Sequence, residues 1–197
     1  MIHEARCRGN RRRVERGRAG CAIGSRTPAA GRPVATLLAM PRQLWLLRHG
    51  DAEPHGTRPD PERRLTGRGE AQSRAAGAAL AALGISFDAV FTSPRVRALE
   101  TARLACEALG GEPVVHEPLS AGFSGRDGLE LLAGFDEGAR ILAVGHEPDF
   151  SGVVRDLTGG AVQVKKGGVA GLRAGSGAGE LLVLLRPREL ERLARAA

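Results

Sequence analysis

From Gln43 onward, short unbroken apolar runs alternate with longer segments of helical spacing. Leu44-Trp45-Leu46-Leu47 has no polar interruption, the pattern of a strand covered on both faces. Thr66 is placed to cap a helix running to Leu83, with Gly84 as its stop. Along it the small residues Ala71, Ala75, Ala78 and Ala82 recur at helical spacing and predict the core-facing side. Asp88 to Thr92 reads as a second strand. Ser93-Pro94 reads as an N-cap followed by Pro at the first helical position. The helix it opens carries Val96, Leu99, Cys106 and Leu109 on one side and ends at Gly110-Gly111. Pro113 to His116 predicts a short strand, and Asp127 to Gly134 a helix. Arg140 to Val144 predicts a buried strand, and Pro148 opens the next helix. Val169 to Leu172 and Glu180 to Leu185 predict two strands around a Gly-Ser loop, and Glu189 to Ala194 a closing helix. This alternation predicts an α/β fold, a three-layer α/β/α sandwich with a mostly parallel central sheet. The last two strands, with no helix between them, predict an antiparallel hairpin at an edge.

Residues 1–39 break the pattern. They are rich in Arg and Gly, with no apolar periodicity before Val34 to Ala39, and cannot bury enough surface to offset their ordering entropy. The only apolar run there is short and follows a long basic stretch, unlike a secretory signal. A transit peptide is the lesser alternative. The expected organisation is a disordered basic tail over 1–39 and one domain over 40–197, with translation expected to begin at Met40.

Charge sharpens this division. The 197 residues carry a formal net charge of +7. Nine Arg and two Glu in residues 1–39 account for all of it, so the rest is balanced. A balanced domain with 3% aromatic residues and no Tyr argues against a nucleic-acid surface on the folded part. The three Cys form no CxxC pair, which excludes a disulfide framework or zinc pattern and fits a reducing, cytoplasmic location. No apolar run approaches the roughly 18 residues of a membrane span.

Three polar clusters sit where apolar strands end: Arg48-His49-Gly50, Ser93 to Arg97, and Gly145-His146-Glu147. Ligands of open α/β sheets bind outside the carboxyl ends of the strands. Two His, two or three Arg and nearby helix N-termini on one rim predict a pocket for a small anion such as phosphate. Arg95 and Arg97, two residues apart on a helix, should diverge by about 200° at roughly 3.6 residues per turn. Only one is then expected to face the rim, and the apolar pattern does not say which.

Leu47-Arg48-His49-Gly50 resembles the RHG signature of the histidine phosphatase superfamily, which includes phosphoglycerate mutases and acid phosphatases. Leu65-Thr66 through Gly69 and Gln72 resembles the LTxxGxxQ stretch that follows it. Ser93 to Ala98 with Thr101-Ala102 resembles SPxxRAxxTA. Val144 to Asp149 and Lys165 to Gly168 resemble segments of the bacterial phosphohistidine phosphatase (SixA-like) branch. The similarity spans about Leu44 to Leu190, with these motifs in order along one domain length. The resemblance implies a phosphoglycerate mutase-like fold without a large cap insertion. It implies His49 as nucleophile with Arg48, Arg97 and His146 as the phosphate clamp, and so selects Arg97 over Arg95. His55 and His116 lack motif support and read as surface or loop residues. Asp60 and Arg64 read as loop-stabilising or rim residues, and Lys165-Lys166 as a solvated pair.

The residue types suit phosphoryl transfer, which needs an in-line nucleophile and neutralised equatorial oxygens. Neighbouring Arg charges should keep His49 neutral and nucleophilic, and guanidiniums bind phosphate oxygens in planar, bidentate fashion. No ligand set for a metal is evident, so no metal or cofactor is expected. Asp51, Glu53, Glu117 and Asp127 are candidate acids, none with a clear motif. A phosphoramidate leaves more readily than an alkoxide. The expected function is therefore a cytoplasmic phosphohistidine phosphatase acting on a phosphorylated protein histidine, without nucleic-acid or membrane partners. The alternatives are a phosphatase of small phosphomonoesters and an inactive module that only binds phosphorylated partners.

Overall fold

A computed structural model describes residues 41–175 and 178–196; the expected tail and the start at Met40 lie outside them. Among the described residues six strands form one sheet: β1 (Arg42–Arg48), β2 (Ala89–Thr92), β3 (Val114–Val115), β4 (Arg140–Gly145), β5 (Val169–Ala174) and β6 (Glu180–Leu185). Their order is β3-β2-β4-β1-β5-β6. β1, β2, β3 and β4 run parallel, with Leu44 beside Ile141 and Arg48 beside Gly145. β5 and β6 run antiparallel to their neighbours and form the edge hairpin that the pattern predicts.

Among the described residues the α-helices are α1 (Gly67–Ala82), α2 (Val96–Leu109), α3 (Gly125–Ala133), α4 (Asp149–Thr158) and α5 (Pro187–Ala196). Side chains alternate across a strand, so β1 feeds two cores. Leu44 and Leu46 join Phe150, Val153 and Leu132 on the α3–α4 side. Trp45 and Leu47 join Leu80, Ala102 and Leu190 on the α1, α2 and α5 side. The described residues thus form a three-layer α/β/α sandwich.

Helix faces depart from the expectation. In α1 the buried residues are Gly69, Gln72, Ser73, Ala76, Gly77, Ala79 and Leu80, while Ala71 and Ala82 are exposed and Ala75 and Ala78 half-buried. A helix built largely of Ala and Gly has almost no hydrophobic contrast, so close approach chooses the face. A Cβ on Gly77 would lie 2.2 Å from the Ala105 carbonyl oxygen of α2. In α2 the buried side is Arg97, Ala98, Thr101, Ala102, Ala105 and Cys106, and Val96, Leu99 and Leu109 are only half-buried. α2 also begins two residues later than Ser93-Pro94 suggests, with Arg95 as its extended N-cap. α3 begins at Gly125, because Ser124 and Asp127 close a capping box there. Among the described residues no helix is long and apolar enough to cross a membrane.

Candidate active site

The carboxyl ends of β1, β2 and β4 are stitched into one rim by backbone hydrogen bonds. His49 N–H donates to Gly145 O at 3.0 Å, and Ser93 N–H to Val144 O at 2.9 Å. β5 starts at this rim because it runs the other way. Its approach residue Gly167, at φ +70°, donates its N–H to both the Arg48 and His49 carbonyls. The turn after β1 rests on α1 and α2. Gly50 N–H donates to Thr101 Oγ1 at 3.1 Å and Asp51 N–H to Gln72 Oε1 at 2.9 Å. A Cβ on Gly50 would meet the Gly69 carbonyl oxygen at 2.5 Å, so both glycines allow a contact that no side chain would. Gly69, Gln72 and Thr101 therefore fix the turn that carries His49.

Arg48, His49, Arg97 and His146 all line one cleft of about 480 Å³. His49 is buried, 7% exposed. Its Nε2 accepts from Arg97 Nε at 3.3 Å, and its Nδ1 lies 2.7 Å from Gly50 O. A guanidinium only donates, so Nε2 carries no proton and turns its lone pair to Arg97, and the ring proton sits on Nδ1 and donates to Gly50. Burial lowers the His49 pKa to about 3; the Gly50 carbonyl opposes this, and Arg97, Arg48 and Lys166 add to it. Burial thus exceeds the Arg charges expected to keep His49 neutral. The His146 ring lies 5.1 Å from the His49 ring, centroid to centroid. Burial, then His49 and the Arg charges, lowers its pKa to about 2. His146 Nε2 meets Ser93 Oγ at 2.8 Å. Its Nδ1, like Arg48 Nε, is buried with no partner among the described residues. An unpaired buried polar group costs about 1–3 kcal/mol.

Arg95 and Arg97 both line the cleft, which corrects the expectation that only one could. Arg95 precedes the helix with φ −65° and ψ 133°, so helical spacing does not govern it. Asp60 joins the two, its Oδ2 accepting from Arg95 Nη1 at 3.0 Å and Arg97 Nη2 at 3.2 Å. Arg97 Nη1 also donates to the Asp60 carbonyl at 2.6 Å, and Arg63 donates twice to Oδ1. Burial raises the Asp60 pKa, but Arg63 and Arg97 outweigh it and hold it at about 2. Asp60 is thus an organiser of the cationic wall as well as a loop residue. Arg63 went unread in the sequence, since an acid and a base three residues apart in a Pro-rich loop look like any solvated pair.

Lys166 also lines the cleft, and its Nζ donates to Asp51 Oδ1 at 2.8 Å. Lys165 pairs with Gln163 instead. His55 lines the cleft mouth, whereas His116 packs its ring on Phe91 and Phe123. Of the four candidate acids only Glu53 lines the cleft. It accepts from Arg64 N–H, which with the Arg58 and Arg64 charges holds its pKa low. Asp51 is held low chiefly by Lys166, and Asp127 by the Ser124 capping box. Glu147, a further carboxylate in the cleft, accepts from Ser151 Oγ and Val164 N–H. Among the described residues, no group of three or more His, Cys, Asp or Glu side chains is placed to hold a metal ion.

The family model of the histidine phosphatase superfamily (branch 1) matches residues 44–121, a span holding Arg48, His49 and Arg97 and ending before His146. An uncharacterized protein of Picosynechococcus sp. (strain ATCC 27264 / PCC 7002 / PR-6) is 32% identical over 162 residues, 75% of this chain and 98% of that protein. A 2,3-bisphosphoglycerate-dependent phosphoglycerate mutase of Azorhizobium caulinodans is 44% identical over 77 residues, 36% of this chain and 36% of the mutase. Among solved structures, the protein histidine phosphatase SixA complexed with tungstate aligns with a TM-score of 0.68 and 26% identity. That alignment covers 75% of this chain and 99% of the SixA chain.

Proposed function

The chain belongs to the histidine phosphatase superfamily and is a phosphatase, and from that premise we propose that it hydrolyses phosphohistidine through a covalent intermediate on His49. In the first step His49 Nε2 attacks phosphorus as the bond to the leaving nitrogen breaks. Arg48, Arg97 and His146 donate N–H groups to the equatorial oxygens, where charge is concentrated in the transition state. The leaving imidazole departs neutral when its second ring nitrogen carries a proton. In the second step water attacks the phosphoryl group, its proton passes to the phosphate, and His49 leaves as neutral imidazole. The Gly50 carbonyl holds the Nδ1 proton throughout.

The observation that carries the choice of substrate is the state of the cleft carboxyls. An alkoxide leaving group needs an acid with a pKa near the working pH. Glu53 and Asp60 are held below their ordinary range, and Glu147 is tied to Ser151 and Val164. A phosphoramidate needs less help. The SixA likeness points the same way. A cytoplasmic location and a phosphorylated protein partner belong to the same proposal. Steady-state kcat/KM should be at least about tenfold higher for a phosphohistidine peptide than for sugar phosphates, a gap of about 1.4 kcal/mol. A higher value for the sugar phosphates would favour the phosphomonoesterase reading.

A further inference from the structure

Arg95 has no part in the transfer step, yet it is built into the cleft. Its guanidinium and that of Arg97 stand one carboxylate oxygen apart, both bonded to Asp60 Oδ2. The Arg97 side chain is 4% exposed and faces His49; the Arg95 side chain is 25% exposed. Asp60 is the only group among the described residues to which the Arg95 guanidinium bonds, so most of its five N–H groups have no partner among those residues. One carboxylate shared among Arg63, Arg95 and Arg97 leaves this wall net cationic. A planar fork of donors there matches a carboxylate or phosphate.

We propose that Arg95 determines specificity by binding a second anionic group of the substrate, a carboxylate or second phosphate close to the transferred phosphoryl. The inference rests on the phosphatase reading above. The second anion has two possible sources: an acidic residue next to the phosphohistidine of a protein, or the acid group of a small phosphorylated acid. Arg97 binds what is transferred, and Arg95 selects what carries it.

The test compares kcat/KM for two phosphohistidine peptides differing only in Asp or Asn beside the phosphorylated residue. Phosphoglycerate and glycerol phosphate form a parallel small-molecule pair. The wild type should prefer the acidic member of at least one pair by roughly 5- to 20-fold, mainly through KM, as expected for a charge-assisted contact at a partly exposed site. The pair that shows the preference names the source. Arg95→Gln should bring the ratio close to one, and Arg95→Glu should invert it. A wild-type ratio near one in both pairs overturns the inference, as does a ratio surviving in Arg95→Gln. Equal losses on both members of a pair also overturn it, since they would make Arg95 a mere tether for Asp60. If the wild type turns over none of the four compounds, the phosphatase reading fails instead.

Discussion

His49 is useful because of which nitrogen holds its proton. Gly50 O fixes the proton on Nδ1, and the Arg97 donor marks Nε2 as the unprotonated nitrogen. His49, Arg48 and His146 were legible because each stands directly after or at the end of an apolar strand, where the sheet itself sets the direction. Asp60 was legible as a loop or rim residue, but its bonds to Arg95 and Arg97, and Arg63 itself, were not, since only the folded loop brings them to a helix that begins some thirty residues later. Arg97 depends on this loop, giving one N–H each of Nη1 and Nη2 to Asp60, keeping the other N–H of each, and aiming Nε at the nucleophile. Arg97→Lys keeps the charge and loses the fork. Its kcat/KM on a phosphohistidine peptide should fall about 10²- to 10³-fold, as for loss of one preorganised donor. A fall of less than threefold would show that charge alone suffices.

At the scale of elements, strands were legible and helix faces were not. β1 and β4 are continuous apolar runs that admit one reading. α1 offers Ala on every side, so its orientation is set by Gly77 against Ala105 and by the polar contacts of Gln72 and Ser73 with the catalytic turn and their own helix. Gly77→Ala should gain up to about 1 kcal/mol of helix propensity. It should lose more, because the added Cβ meets backbone rather than a flexible side chain, and overpacking of this kind typically costs about 1–3 kcal/mol. The urea midpoint should therefore fall. An unchanged or higher midpoint would mean that α1 and α2 separate freely.

At the scale of the whole molecule, the site is held at a cost in acid. His49 and His146 have folded pKa values of about 3 and about 2, against roughly 6.5 unfolded. Below pH 6.5 the unfolded chain therefore binds more protons than the folded one, and stability falls as pH falls. Each histidine should contribute about 1.4 kcal/mol of loss per pH unit until its folded pKa is reached. Asp60, held at about 2, adds stability that is present above its unfolded value and lost toward pH 2. In phosphate-free buffer, stability from urea titration should thus drop between pH 7 and pH 5, and drop less in His146→Asn. A flat profile would mean that the two rings are solvated.

The covalent step is most directly tested by rapid mixing with a ³²P-labelled phosphohistidine peptide, an alkaline quench that preserves phosphoramidates, and peptide mapping. Label should appear on His49 within the first turnover, chase away with unlabelled peptide, and be absent in His49→Asn. Turnover by the wild type with no label on His49, or with label on another residue, would contradict the covalent mechanism.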